Sequence, residues 1–180
     1  MPVGPLTVYD EVSLELSRKA WATWKDMGVL DNWGDGTITR DVIDTMVGEH
    51  GRGGRHHGGG FYEYGADGSK HIWPGLFDLY GKDDVAITDQ DAKDRMLFRQ
   101  VIEALKCLET GVLRSVADGN IGSIMGIGAP AWTGGLLQFI NTYGLQNFID
   151  RCNELSAQYG DRFEAPAIVA EKLAAGETFA

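Results

Sequence analysis

Residues 88–135, TDQDAKDRMLFRQVIEALKCLETGVLRSVADGNIGSIMGIGAPAWTGG, leave the chain few folds to choose from. They predict one long amphipathic helix, a turn, a short helix, and a glycine-rich turn leading into another helix. Thr88 is placed as N-cap, with Asp91 three residues on to complete a capping box. Leu97, Val101, Leu105, Leu108 and Val112 recur at steps of three and four, the spacing of one helical face. Lys93, Arg99, Glu103, Lys106 and Glu109 fill the other positions. Gly111 is suited to end the helix in a left-handed conformation. Ser115 with Asp118 repeats the capping box, so a new helix starts at once. Met125-Gly126-Ile127-Gly128-Ala129-Pro130 should end it.

The flanks extend this helical pattern. Gly4-Pro5 opens a helix predicted from Leu6 to about Met27, closed by Gly28. A loop through Trp33-Gly34-Asp35-Gly36 leads to a short helix near Arg40–Val47, capped by Thr39 and closed by Gly48. GEHGRGGRHHGGG at 48–60 reads as a flexible loop. Phe61 to Tyr64 and His71 to Trp73 form a hairpin about the turn Gly65–Gly68, and Pro74-Gly75 breaks it. Gly81–Asp84 marks a boundary. Helices are expected over Leu136–Asn141, over Leu145–Tyr159, and from Pro166 to Gly176. Their regularity makes the chain all-α with one small hairpin.

Charge excludes two classes of partner. A net charge of −10 and a pI near 4.7 leave no basic face for nucleic acid or an anionic membrane surface. No apolar run approaches the roughly 20 residues of a membrane span. The N-terminus lacks a signal-peptide pattern, and the expected location is the cytoplasm. Cys107 and Cys152 lie inside helical patterns without metal spacing, as reduced thiols do.

Four stretches resemble chemical motifs. Arg52, Arg55, His56 and His57 among glycines could contact an anion, but a phosphate loop needs a strand before it and a helix after. His50, His56, His57 and His71 lack the framework of a metal site. Gly126-Ile127-Gly128 imitates a dinucleotide fingerprint, yet comes after a helix and runs into Pro130. Asp10 and Glu11, adjacent on a helix, point about 100° apart and cannot share one substrate atom. Each is read as structural: no catalytic, cofactor-binding or metal-binding residue is assigned.

VIEALKCLETGVLRSVADGNIGSIMGIGAPAWTGG resembles the C-terminal helical domain of 3-hydroxyacyl-CoA dehydrogenases, above all its second copy in the multifunctional fatty-acid β-oxidation proteins. The matching residues are Glu103-Ala104, Glu109, Gly111-Val112, Ser115, Asp118, Gly126, Gly128, Pro130 and Gly134-Gly135. Ala129 stands where the family usually has phenylalanine. The resemblance continues through YGLQNFIDRCNELSAQYGDRF, and in the N-terminal half through PVGPLTVYDEV and GGGFYEY. GPLTVYDEVSL at 4–14 also aligns without gaps on GLLQFINTYGL at 135–145, an offset of 131 (135 − 4). Two copies in one chain are what the family implies. Residues 1–84 are then a truncated first copy with the glycine loop and hairpin, and 85–180 a complete second copy.

The family oxidises the 3-hydroxyl of an acyl-CoA with NAD. Its catalytic His–Glu pair and nicotinamide site lie in a Rossmann domain that has no counterpart among these residues. The resemblance therefore implies an oxidoreductase part that binds no cofactor itself and is inactive alone. It would complete a substrate cleft and supply helix contacts to a Rossmann domain. Without the long helix that should precede Gly4, the apolar residues Leu6, Val12, Leu16 and Trp24 are expected on a surface that a homodimer would bury. The rivals are a stand-alone helical scaffold and an anion-binding module built on the glycine–histidine loop.

Overall fold

The computed structural model describes residues 3–28, 37–83 and 85–180. The predicted loop through Trp33–Gly36 lies outside the described residues. Helices dominate, and the single sheet among the described residues is a two-stranded hairpin, so the all-α expectation holds. The chain divides into an N-terminal unit ending at Val85 and a C-terminal unit beginning at Ala86.

The N-terminal unit starts with α1 (Pro5–Val12) and α2 (Leu14–Asp26). The sequence predicts one helix here, and the structure breaks it at Ser13. That residue sits at φ 87°, ψ 125°, outside any helical region. The Leu14 N–H donates to the Gly53 carbonyl at 2.9 Å instead of to its own helix, and the Ser13 hydroxyl donates to the same oxygen at 3.1 Å. Next come α3 (Thr37–Asp44) and a wide π turn over Thr45–Glu49, which carries the helical path past the expected stop at Gly48. β1 (Tyr62–Tyr64) pairs antiparallel with β2 (Lys70–Ile72), Tyr62 facing Ile72. Pro74 ends the hairpin and also opens α4 (Gly75–Tyr80), a helix the sequence reading omits. A small core of Leu14, Ile43, Met46, Val47 and Phe61 holds this unit together.

The C-terminal unit begins with α5 (Asp89–Glu109). The Thr88 hydroxyl accepts from the Asp91 N–H at 3.0 Å, as the capping box requires, and Gly111 turns the chain at φ 75°. The buried stripe is Asp94, Phe98, Val101, Ile102 and Leu105. It lies beside the face expected from the spacing: Leu97 and Leu108 are only partly buried, and Val112, past the helix end, is exposed. Phe98 decides the rotation. Its ring stacks on Phe148 at 4.7 Å and meets Phe139 and Tyr143 edge-on.

α6 (Val116–Ile127) is capped by Ser115 and runs through Gly126, one turn further than its glycines suggest. Gly128 ends it at φ 66°. α7 (Leu136–Tyr143), α8 (Leu145–Tyr159) and α9 (Ala167–Ala175) complete the unit. α7 packs on α5, α6 and α8, and the core gathers Leu137, Ile140, Phe148, Cys152, Leu155, Val169 and Phe179 around Phe98.

Candidate functional site

The glycine–histidine loop has a fixed path where its composition reads as flexible. Gly54 and Gly59 form an antiparallel bridge, and Arg55–His57 make a short 3-10 turn between them. Arg52 fastens the loop: Nε donates to the Gly60 carbonyl at 2.7 Å and Nη2 to that of Tyr62 at 3.0 Å, with the guanidinium over the Trp73 ring. Arg55 pairs with Glu11 at 2.8 Å. The N–H groups of Gly54, His57, Gly59 and Gly60 are all donated within the loop and hairpin. A phosphate would find these donors already engaged. The histidines also disperse. His50 lies against Trp73, His71 pairs with Glu63, and His56 and His57 face outward on the 3-10 turn. Among the described residues no group of three or more His, Cys, Asp or Glu could hold a metal ion.

Asp10 is fully buried in this unit. It accepts from the Phe61 N–H at 2.8 Å, the Tyr62 N–H at 2.9 Å and the Tyr64 hydroxyl at 2.9 Å. A side chain at Gly60 would place its Cβ 2.0 Å from Asp10 Oδ1, so only glycine fits there. Burial, and then the bond to Asp10, raise the pKa of the Tyr64 hydroxyl and keep it protonated. Glu11 turns away to Arg55, so the two adjacent carboxylates serve separate partners.

Gly126-Ile127-Gly128 closes a helix and does not open one. The Ala129 N–H returns to the Ser123 carbonyl at 2.9 Å, and Pro130 comes next. The next helix N-terminus, that of α7, has its amides occupied by α6. Asn120 Oδ1 accepts from Leu137 N at 3.0 Å and Gln138 N at 2.9 Å, and Ser123 Oγ accepts from Leu136 N at 3.2 Å. These residues do not fit a nicotinamide dinucleotide, whose pyrophosphate needs free amides at a strand-to-helix turn.

Two features of the C-terminal unit escape the sequence reading. Arg151 on α8 binds Asp91, Asp94 (2.9 Å) and Glu154 (2.8 Å), while the Tyr159 hydroxyl donates to Asp91. Hydrogen bonding to Arg151 lowers the pKa of the Asp91 carboxyl below its ordinary value. Asp91 and Asp94 on one helix, and Arg151 and Glu154 on another, are visible in the sequence, but not that the two pairs meet. The second feature is an apolar groove of about 490 Å³ between α5 and α6, lined in part by Ala104, Cys107, Leu113, Ile127 and Leu136. Cys107 lines this groove, whereas Cys152 is sealed in the core and burial pushes its thiol up to about 12. The four histidines all lie in the N-terminal unit, so within its own unit neither cysteine has an imidazole to activate it.

The apolar surface is extensive. Val112, Ile121, Met125, Ile127 and Trp132 are exposed on the C-terminal unit, and Leu6, Val12 and Leu16 on the N-terminal one. Among the described residues no helix is long and apolar enough to cross a membrane.

No family model matches the chain. Fatty acid oxidation complex subunit alpha of Vibrio parahaemolyticus serotype O3:K6 is 33% identical over 180 residues, covering 99% of this chain and 24% of that protein. The same-named protein of Vibrio campbellii is 35% identical over 164 residues, covering 90% of this chain and 22% of its own length. That of Shewanella frigidimarina is 35% identical over 180 residues, 96% of this chain and 24% of the relative. The chain is homologous to one part of the fatty acid oxidation complex alpha subunits, as its motifs indicate. It spans about a quarter of the length of these relatives.

Proposed function

We propose that this chain is the C-terminal helical portion of an NAD-dependent 3-hydroxyacyl-CoA dehydrogenase of fatty-acid β-oxidation. It carries no catalysis of its own. It completes the wall of an acyl-CoA cleft whose reacting groups and NAD site belong to a Rossmann domain. Its two units are read as successive copies of one helical domain. The observation that carries this reading is the match of nearly the whole chain to only a quarter of a fatty acid oxidation alpha subunit. The exposed faces of α1, α2 and α6 support it, because a part of a larger protein has surfaces meant for the rest. The same faces support a homodimer when the chain is alone. The setting proposed is the cytoplasm.

The test is reconstitution. Oxidation of a 3-hydroxyacyl-CoA by NAD is measured with this chain alone, with an alpha subunit lacking the matching quarter, and with both. Activity only in the mixture is expected. Turnover or micromolar NAD binding by the chain alone overturns the reading. Light scattering decides the dimer: a monodisperse species near 19.6 kDa rules it out.

A further inference from the structure

Asp10 and Asn141 occupy the same place in two similar corners. Each is the sixth residue of an eight-residue helix, α1 and α7. Each helix passes to the next through one residue in nearly the same backbone state: Ser13 at φ 87°, ψ 125° and Gly144 at φ 91°, ψ 127°. From this place both side chains reach the backbone of a distant phenylalanine. Asp10 Oδ1 accepts from Phe61 N at 2.8 Å, and Asn141 Oδ1 accepts from Phe179 N at 2.9 Å. Both rings are core residues, 4% and 1% exposed. Both stand three residues after a left-handed glycine, Gly58 at φ 84° and Gly176 at φ 70°. The sequence separations differ, 51 residues against 38, so the shared feature is the geometry and not the spacing.

We infer that this helix position is a strap lock built twice, and that its side-chain chemistry matches the course of the chain at and beyond each phenylalanine. In the N-terminal unit the partners are all donors: Phe61 N, Tyr62 N and the Tyr64 hydroxyl. Phe61 N and Tyr62 N can only donate and meet different oxygens of Asp10, so both side-chain oxygens must accept, which a primary amide cannot offer. The strap therefore continues into β1. In the C-terminal unit the partners are the N–H of Phe179, its carbonyl, which takes Asn141 Nδ2 at 2.6 Å, and Gln138 Oε1, which takes the same Nδ2 at 3.1 Å. A donor and acceptors together need a primary amide. The strap is clasped through a single residue, and its neighbour Glu177 pairs with Lys172 of α9. The lock thus holds Phe179 as a plug in the core that also contains Phe98, and exchanging acid for amide should release one strap without the other.

The experiment uses D10N and N141D in the whole chain, with amide hydrogen exchange read at Phe61, Tyr62 and Phe179. N141D sets a carboxylate oxygen against the Phe179 carbonyl, and at least tenfold faster exchange at Phe179 with Phe61 unchanged is expected. D10N sets an amide N–H against one of the two obligate donors, Phe61 N or Tyr62 N, and at least tenfold faster exchange at one of them with Phe179 unchanged is expected. Where N141D folds poorly, D10N alone still carries the test. Rates within twofold of wild type at both straps, or equal acceleration in both units from either variant, overturn the inference.

Discussion

The corner α1–Ser13–α2 and the corner α7–Gly144–α8 trace nearly one backbone path and live in different surroundings. α7 is packed by α5, α6 and α8, and Leu137 is 0% exposed. α1 packs on α2 and the 3-10 turn of the glycine loop, and Leu6, which aligns with Leu137, is 36% exposed. The difference teaches that a corner geometry can be set locally, while its apolar face still needs a long helix over it. In the C-terminal unit α5 supplies that cover. Among the described residues of the N-terminal unit the corner is held by the Asp10 hydrogen bonds, the Arg52 clasp and the Ser13 contact with Gly53, which leave Leu6 exposed.

The largest effect that would test this contrast comes from Phe98→Ala. It removes the ring on which Phe139, Tyr143 and Phe148 converge, and should destabilise the C-terminal unit by about 3–5 kcal/mol. Residue-resolved hydrogen exchange should show the N-terminal core unaffected; equal loss in both units would merge them into one cooperative block. Next is the aligned pair. Leu137→Ala should destabilise by about 2–5 kcal/mol in chemical denaturation, and Leu6→Ala by no more than about 1 kcal/mol, within the range of surface changes. Equal losses would mean that the face of α1 is covered in solution.

The corner residues give a smaller effect. Gly144→Ser forces a side chain into a positive-φ state and should lose about 1–3 kcal/mol. Ser13→Gly relieves that strain but gives up the hydroxyl bond to Gly53, so its stability should move by less than about 1 kcal/mol in either direction. The smallest effect is on acid stability. Asp91 has a lowered pKa in the folded state because Arg151 binds its ionised form. Its stabilising share is complete above the unfolded value near 4 and is lost as pH falls through the lowered folded value. Arg151→Ala should flatten the acid limb of the C-terminal unit's unfolding curve below about pH 4 and leave that of the N-terminal unit unchanged.

The features legible in the sequence are local. Thr88 and Ser115 as caps, and Gly28, Gly111 and Gly176 as helix stops, act within a few residues of themselves, and all are present. The hairpin is legible for the same reason. The break at Ser13 is not, because serine rarely adopts positive φ; its alignment with Gly144 is the available clue. The inner face of α5 lies one residue off the expected stripe, since three- and four-residue steps admit two neighbouring stripes and the aromatic partners of Phe98 choose between them. Composition also misjudges the glycine loop. Arg52 and the Gly54–Gly59 bridge fix it through contacts that no local pattern encodes. The Arg151 cluster and the two phenylalanine locks span 38 to 60 residues and appear only when the chain is folded.

The aromatic residues divide the molecule into two optical halves. Of the tryptophans, Trp21, Trp24, Trp33 and Trp73 precede Val85, and only Trp132 comes after it. Trp132 is exposed, and the C-terminal core is built of phenylalanine, which emits weakly. Four of the five tryptophans thus fall in the N-terminal half of the sequence, and Trp132, whose ring meets Phe139, is the one that belongs to the C-terminal unit. Trp132 stands apart as a natural reporter of its own surface: when a partner covers it, its emission moves to shorter wavelength with no label attached.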